Sequence, residues 1–272
     1  MKTQIVKIKQ ILLSSMDRED RMDGKIPRII HYCWFGKGEK SELIHKCIKS
    51  WKKFMPDYQY IEWNEDNFNI SYNRYTLEAY RQNKYAFVSD VARLYALQQS
   101  GGIYLDTDME LLNSLDKFLY HGCFFGFESN DRVNGAIIAS VPNHPMINEL
   151  IGLYSKECFK VSENEYNSKT IVDRITQVLL SHHLVLDGSY QTIMDNVSVY
   201  PQEYFYPIDY SIHKMKITPN TYTIHHFIGS WVDKRMKFGM ALKVSIKRII
   251  HAVFGDKILQ IVTKTYNKRF KK

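Results

Sequence analysis

Residues 85–110 read YAFVSDVARLYALQQSGGIYLDTDME, and the fold turns on how this stretch is read. Phe87, Val91, Leu94, Tyr95 and Leu97 recur at helical spacing and lead up to two glycines. Gly101-Gly102 supplies the left-handed residue that ends such a helix, so the spacing predicts a helix over 85–100. Ile103-Tyr104-Leu105 then reads as a strand. Asp106 and Asp108 follow two apart, so an extended backbone turns both carboxylates to one face, about 7 Å apart at ~3.3 Å per residue. In an open α/β sheet the carboxyl ends of the strands border the ligand crevice, and the acidic pair falls there. Two carboxylates in that place suit a divalent cation with oxygen ligands. With sixteen aspartates in the chain such a pair also arises by chance, and a solvated turn is the plain alternative.

Outward from this stretch the pattern alternates. IPRIIHYCWFG, from Ile26, is a β-rich run stopped by Gly36 and Gly38. SELIHKCIKSWKKF places Leu43, Cys47, Ile48 and Trp51 on one helical face behind Ser41 as cap, and YQYIEW reads as a second strand. Strand, helix, strand, helix predicts an α/β layer with a mostly parallel sheet. The expected organisation is an amphipathic and linker segment over 1–25, a body over 26–231, and a basic extension over 232–272. In that extension Leu242, Ile246, Ile249, Ile250 and Val253 share one helical side, with Lys243, Lys247, Arg248 and His251 around the other.

The 272 residues are 44% hydrophobic, enough for a substantial core. The net charge of +8 is concentrated: twelve Lys or Arg against two Asp give the last 41 residues +10, which leaves the other 231 at −2. A near-neutral body with a cationic tail is not a uniformly basic nucleic-acid binder, and no nucleic-acid partner is expected. Cys33, Cys47, Cys123 and Cys158 lie far apart with no CxxC pair, which suggests neither a zinc knuckle nor a disulfide framework and fits a reducing cytoplasm. No stretch has signal-peptide character, and no apolar run approaches the roughly 20 residues that span a bilayer.

IPRIIHYCWFG, SDVARLYALQQSGGIYLDTD and HHFIGSW together resemble the three signature blocks of glycosyltransferase family 32, sugar-nucleotide-dependent enzymes with a DXD motif that include yeast initiating mannosyltransferases and bacterial capsule enzymes. The resemblance implies a GT-A type, Rossmann-like nucleotide-sugar-binding fold, a nucleotide-diphosphate sugar donor (UDP-linked first, GDP-linked second), Mn²⁺ or Mg²⁺, and retention at the anomeric carbon. It gives Asp108 the metal that bridges the donor diphosphate, and places Asp106 on the ribose and metal side. A bound cation stabilises the charge that accumulates on the leaving diphosphate. Asp90 and Arg93, three apart on one helix face, match the pair that holds the donor sugar and diphosphate; an intrahelical salt bridge is the alternative. Trp34 matches the aromatic residue that stacks on the nucleotide base.

In HHFIGSW, His226 matches a histidine near diphosphate and metal, either of the adjacent histidines being able to serve, with His225 as the packed core residue. Ser230 and Trp231 resemble the loop that closes over the donor, and Asn134 stands where the family has an Asn-Gly that touches sugar or acceptor. Tyr95 replaces a second acidic residue of several bacterial members, and LVLDGSYQTI lacks a common Gly-Pro step, which leaves sugar and acceptor open. The function expected is transfer of a hexose or N-acetylhexosamine to a lipid-linked glycan acceptor in synthesis of a surface or capsular polysaccharide. The tail would attach the enzyme peripherally to the anionic cytoplasmic face of the membrane. The alternative is a nucleic-acid- or membrane-binding protein acting through its basic tail, with a structural acidic cluster; it gives no reason for Trp34, Asp90, Arg93, Asp106, Asp108 and His226 to stand in family order.

Overall fold

Hydrophobic residues on alternate positions of the strands build two cores, one on each face of a seven-stranded mixed sheet. The computed structural model describes residues 25–163, 165–194, 196–209 and 214–229. Strand β1 is Ile29–Cys33, β2 Gln59–Trp63, β3 Gly102–Leu105, β5 Cys123–Ser129, β6 Arg132–Ser140, β7 Gln191–Ile193 and β8 Val197–Tyr200. Their order across the sheet is β2-β1-β3-β6-β5-β8-β7. A two-stranded ribbon beside it pairs β4 (Met109–Leu111) with β11 (Thr223–His225).

Helix α1 (Glu42–Phe54) begins where the Ser41 hydroxyl accepts the Ile44 N–H, and carries Glu42 in its first turn and Lys52 and Lys53 in its last, each sign matching the helix dipole. Its inner face buries Ile44, Cys47 and Trp51. Helix α2 (Arg74–Arg81) starts with a capping box between Asn73 and Thr76. Helix α3 is Tyr85–Ser100, the limits read from the sequence, and it ends at Gly101 with φ +62°. Buried residues run around most of α3, because it lies between the sheet and helices α2 and α4 (Pro145–Ser155). Helix α5 (Ile171–Ser181) covers β6, and the short α6 (Gln202–Phe205) follows β8.

The parallel arrangement holds for β2-β1-β3 and for β5-β8. The β3-β6, β6-β5 and β7-β8 pairs are antiparallel, the β6-β5 pair because a short turn joins the two strands and a hairpin cannot be parallel. The four cysteines are free thiols, as their spacing implies. The main compact unit takes in residues 25–207 and 217–228; β9 (Ile208–Asp209) and β10 (Lys214–Met215) pair antiparallel in a second, small unit. Among the described residues no helix is long and apolar enough to cross a membrane. The amphipathic segment over 1–24 and the extension over 232–272 lie outside the described residues.

Candidate active site

Asp106 and Asp108 stand in a turn between β3 and β4, not on an extended strand as their spacing suggested. The Asp106 N–H still continues the ladder by donating to the Ala136 carbonyl at 2.8 Å, but the Met109 N–H folds back onto the Asp106 carbonyl at 3.0 Å. That turn replaces the spread of an extended backbone with a compact group. One ligand atom each from Asp106, Asp108 and His225 lie within 4.8 Å of one another.

Arg93 on α3 braces the first carboxylate. Its Nη1 is 3.3 Å from Asp106 Oδ1 and donates to the Gly135 carbonyl at 2.6 Å, while Nη2 donates to Asp90 Oδ1 at 3.0 Å. The guanidinium also lies 4.6 Å from the Tyr104 ring, and the Tyr104 hydroxyl donates to Asp106 Oδ1 at 2.8 Å. The intrahelical salt bridge that the spacing of Asp90 and Arg93 offered is therefore formed, and it extends to the DXD turn. Burial pushes the Asp90 carboxyl up to about 6, with Arg93 pulling in the opposite direction.

Asp108 is held from the loop after β11. Its Oδ2 accepts the Ile228 N–H at 2.9 Å and its carbonyl accepts the His226 N–H at 3.1 Å. Phe227, with φ +51°, makes the tight bend that returns Ile228 to the carboxylate. His225 Nε2 lies 3.3 Å from Asp108 Oδ1, and its Nδ1 is a buried ring nitrogen with no hydrogen-bond partner. Burial lowers the basicity of this imidazole, but the Asp108 carboxylate, helped by Asp106 and Glu128, overrides that and holds its pKa above the ordinary histidine value. Burial likewise raises Asp108, and His225 with the Ile228 amide brings it net below the usual aspartate range.

His226 is the correction. Its Nε2 lies 2.9 Å from Glu110 Oε2, to which Lys46 Nζ also donates at 2.9 Å, so it faces away from the aspartate pair. Consecutive side chains at the end of β11 point to opposite sides, and the β4–β11 register sets His225 across from Met109, on the DXD side. Trp34 follows β1, half-buried and outside both hydrophobic clusters; its Nε1 donates to the Gly38 carbonyl at 2.6 Å and Lys40 Nζ lies 5.2 Å from its ring. Asn134 is buried beside the site, with its amide bonded to Glu128 and to the Ala136 N–H. Ser230 and Trp231 lie outside the described residues. Sequence reading left the choice between His225 and His226 open and missed Tyr104, Glu128 and the Ile228 amide; the Asn-Asp turn at 130–131 marks the hairpin that brings in Glu128, but nothing local marks Tyr104 or the Ile228 amide.

An oxygen-rich set with one imidazole fits Mn²⁺ or Mg²⁺, and His225 brings to it a buried ring nitrogen with no hydrogen-bond partner. The profile of the glycosyltransferase sugar-binding region containing DXD motif matches residues 41–125. An uncharacterized glycosyltransferase of Acanthamoeba polyphaga mimivirus is 30% identical over 225 residues, 76% of this chain and 84% of the viral protein. The chain belongs to the DXD-containing glycosyltransferases. This glycosyltransferase is also 24% identical over 164 residues to inositol phosphoceramide mannosyltransferase 3 of Schizosaccharomyces pombe, and 29% identical over 133 residues to a mannosyl phosphorylinositol ceramide synthase of Saccharomyces cerevisiae. Those matches cover 55% and 46% of this chain, and they span only 42% and 34% of the two fungal proteins. Among solved structures, the PaToxG glycosyltransferase aligns with a TM-score of 0.47 and 20% identity, over 66% of this chain and 80% of that one.

Proposed function

We propose that this glycosyltransferase moves a hexose or N-acetylhexosamine, with retention, from a nucleotide-diphosphate sugar to a glycan acceptor in surface or capsular polysaccharide synthesis. The observation that carries the reading is the convergence of Asp106, Asp108 and His225, braced by Arg93 and Tyr104 on one side and by the Ile228 amide on the other. Asp106, Asp108 and His225 would hold Mn²⁺ or Mg²⁺, which when bound neutralises charge on the leaving diphosphate as a Lewis acid. Trp34 offers a flat face to the base at the far end of the donor, and Arg93 keeps the first carboxylate in place through two fixed contacts. Ser230 and Trp231 are assigned to closure over the donor. A UDP-linked sugar is the first donor. The names of the fungal relatives, mannosyltransferases of a phosphoceramide lipid, favour GDP-linked mannose as the second and a lipid-linked acceptor. The basic segment over 232–272 is assigned to an anionic membrane surface, which places the enzyme on the cytoplasmic face as a peripheral protein.

The test is donor hydrolysis across UDP-glucose, UDP-N-acetylglucosamine and GDP-mannose, with Mn²⁺ or with EDTA, comparing wild type and Asp108→Asn. One donor is expected to be hydrolysed in Mn²⁺ and spared in EDTA, and the variant to turn over roughly 10² to 10³ times more slowly, the scale of one lost transition-state electrostatic contact. Indifference to EDTA, or near-normal turnover of the variant, rules the reading out.

A further inference from the structure

The β5–β6 hairpin is irregular beside the site. Phe127 pairs with Val133 and Ser129 with Arg132, so Glu128 is the extra residue of a β-bulge. Bulges re-aim side chains and concentrate near active sites. This one brings the Glu128 carboxylate onto Asn134, whose Nδ2 donates to Oε2. The Asn134 Oδ1 is meanwhile held by the Ala136 N–H at 2.7 Å, so the amide is committed to the protein and fixes one oxygen of Glu128. Glu128 is only half-buried, and among the described residues no Lys, Arg or His makes an ion pair with it.

Strand order locates this carboxylate. β3 and β6 run antiparallel with Leu105 across from Ile137, so the end of β5 and the start of β6 share the sheet edge at which the DXD turn leaves β3. Along that edge the order is β1, β3, β6, β5. A donor whose base rests on Trp34 after β1 and whose diphosphate rests on the acidic pair after β3 has its sugar directed toward β5. Two strand spacings of about 4.8 Å separate β3 from β5. A carboxylate repels a diphosphate and binds hydroxyl groups, and beyond the donor sugar the next hydroxyl is the one that attacks.

We propose that Glu128 accepts a hydrogen bond from the attacking hydroxyl of the acceptor and aims its oxygen at the donor's anomeric carbon, with Asn134 as the residue that positions Glu128; as that oxygen bonds to the anomeric carbon, the carbon–oxygen bond to the diphosphate breaks, the nucleoside diphosphate leaves with the electron pair, and the hydroxyl proton passes to the Glu128 carboxylate. The inference rests on the glycosyl-transfer reading above. A hydrogen bond to an ionised acceptor is stronger than one between neutral groups, and orientation of the reacting oxygen is a large part of catalysis.

Donor hydrolysis tests it without the natural acceptor, because water then takes the place of the attacking hydroxyl. With the same three nucleotide sugars and Mn²⁺, Glu128→Gln is expected to lower turnover roughly 10²-fold, the scale of a misaimed reacting group. Glu128→Asp should recover part of the loss, while donor and Mn²⁺ dissociation constants from calorimetry stay within about twofold, since neither contact involves this side chain. Wild-type turnover in Glu128→Gln, or a loss expressed in donor affinity instead of turnover, overturns the assignment. So does failure of both variants to melt cooperatively by circular dichroism, which would make Glu128 a structural part of the bulge. A wild-type enzyme that hydrolyses none of the donors overturns the glycosyl-transfer reading itself.

Discussion

At the scale of single residues, the site depends on which of two adjacent histidines turns inward. Asp106 and Asp108 are legible from their place after a capped helix and a strand. The choice between His225 and His226 is not, since it depends on how β11 registers against β4, more than a hundred residues earlier in the chain. A strand exposes alternate side chains to opposite faces, so a register slip by one residue would exchange the two. With the observed register, His225→Ala is expected to weaken Mn²⁺ binding roughly tenfold or more, the scale of a lost ligand or its support. His226→Ala, which breaks only the contact with Glu110 and removes neither a ligand nor its support, should change it by less than about threefold. Calorimetric titration of Mn²⁺ into each variant decides; equal effects, or the reverse order, would remove His225 from the metal set.

At the scale of elements, the join between α3 and β3 delivers the DXD turn to the crevice. Gly101 ends α3 with its N–H on the Leu97 carbonyl, and Gly102 opens β3 at φ +103° with the Ile29 carbonyl 2.6 Å from where a Cβ would stand. That close approach permits β1 and β3 to pair in parallel with Ile30 across from Ile103. Gly102→Ala adds both a disfavoured backbone conformation and a clash with backbone, so it is expected to destabilise the fold by about 1–3 kcal/mol. Urea denaturation measures it, and an unchanged midpoint would refute the argument. The capped helices and first strands were legible because their signals are local: Ser41 before an apolar stripe, and two glycines after one. The antiparallel β5–β6 insertion was less legible, since a buried apolar run does not say which neighbour it will pair with.

For the whole molecule, His31 ties the sheet to the helix above it and sets an acid limit to stability. It is fully buried on β1, accepting from Trp63 Nε1 at Nδ1 (3.0 Å) with Nε2 2.8 Å from the Gly101 carbonyl. Burial lowers its pKa to about 4, the Gly101 contact opposing. Between the unfolded value near 6.5 and the folded value near 4, the unfolded chain binds the extra proton, so stability falls as pH drops through that window. At about 1.4 kcal/mol per unit, the wild type should lose about 2 kcal/mol more than His31→Gln between pH 6.5 and 5. Urea unfolding of both proteins checks this, and parallel curves would contradict it. The basic segment over 232–272 makes a second claim at this scale. Full-length protein should float with anionic vesicles at low salt, and should do so less at 1 M salt, where the Debye length is ~3 Å. A chain ending at Trp231 should not float, and failure of both forms to float would separate the segment from membranes. The sequence by itself determined the α/β layering, the helix limits around 41–54 and 85–100, the acidic pair and the free thiols, because caps, periodicity and cysteine spacing act over a few residues. Only the tertiary structure decided that the pair sits on a turn, that His225 and the Ile228 amide close on Asp108, and that a bulge presents Glu128, because each depends on strand register between segments distant in the chain.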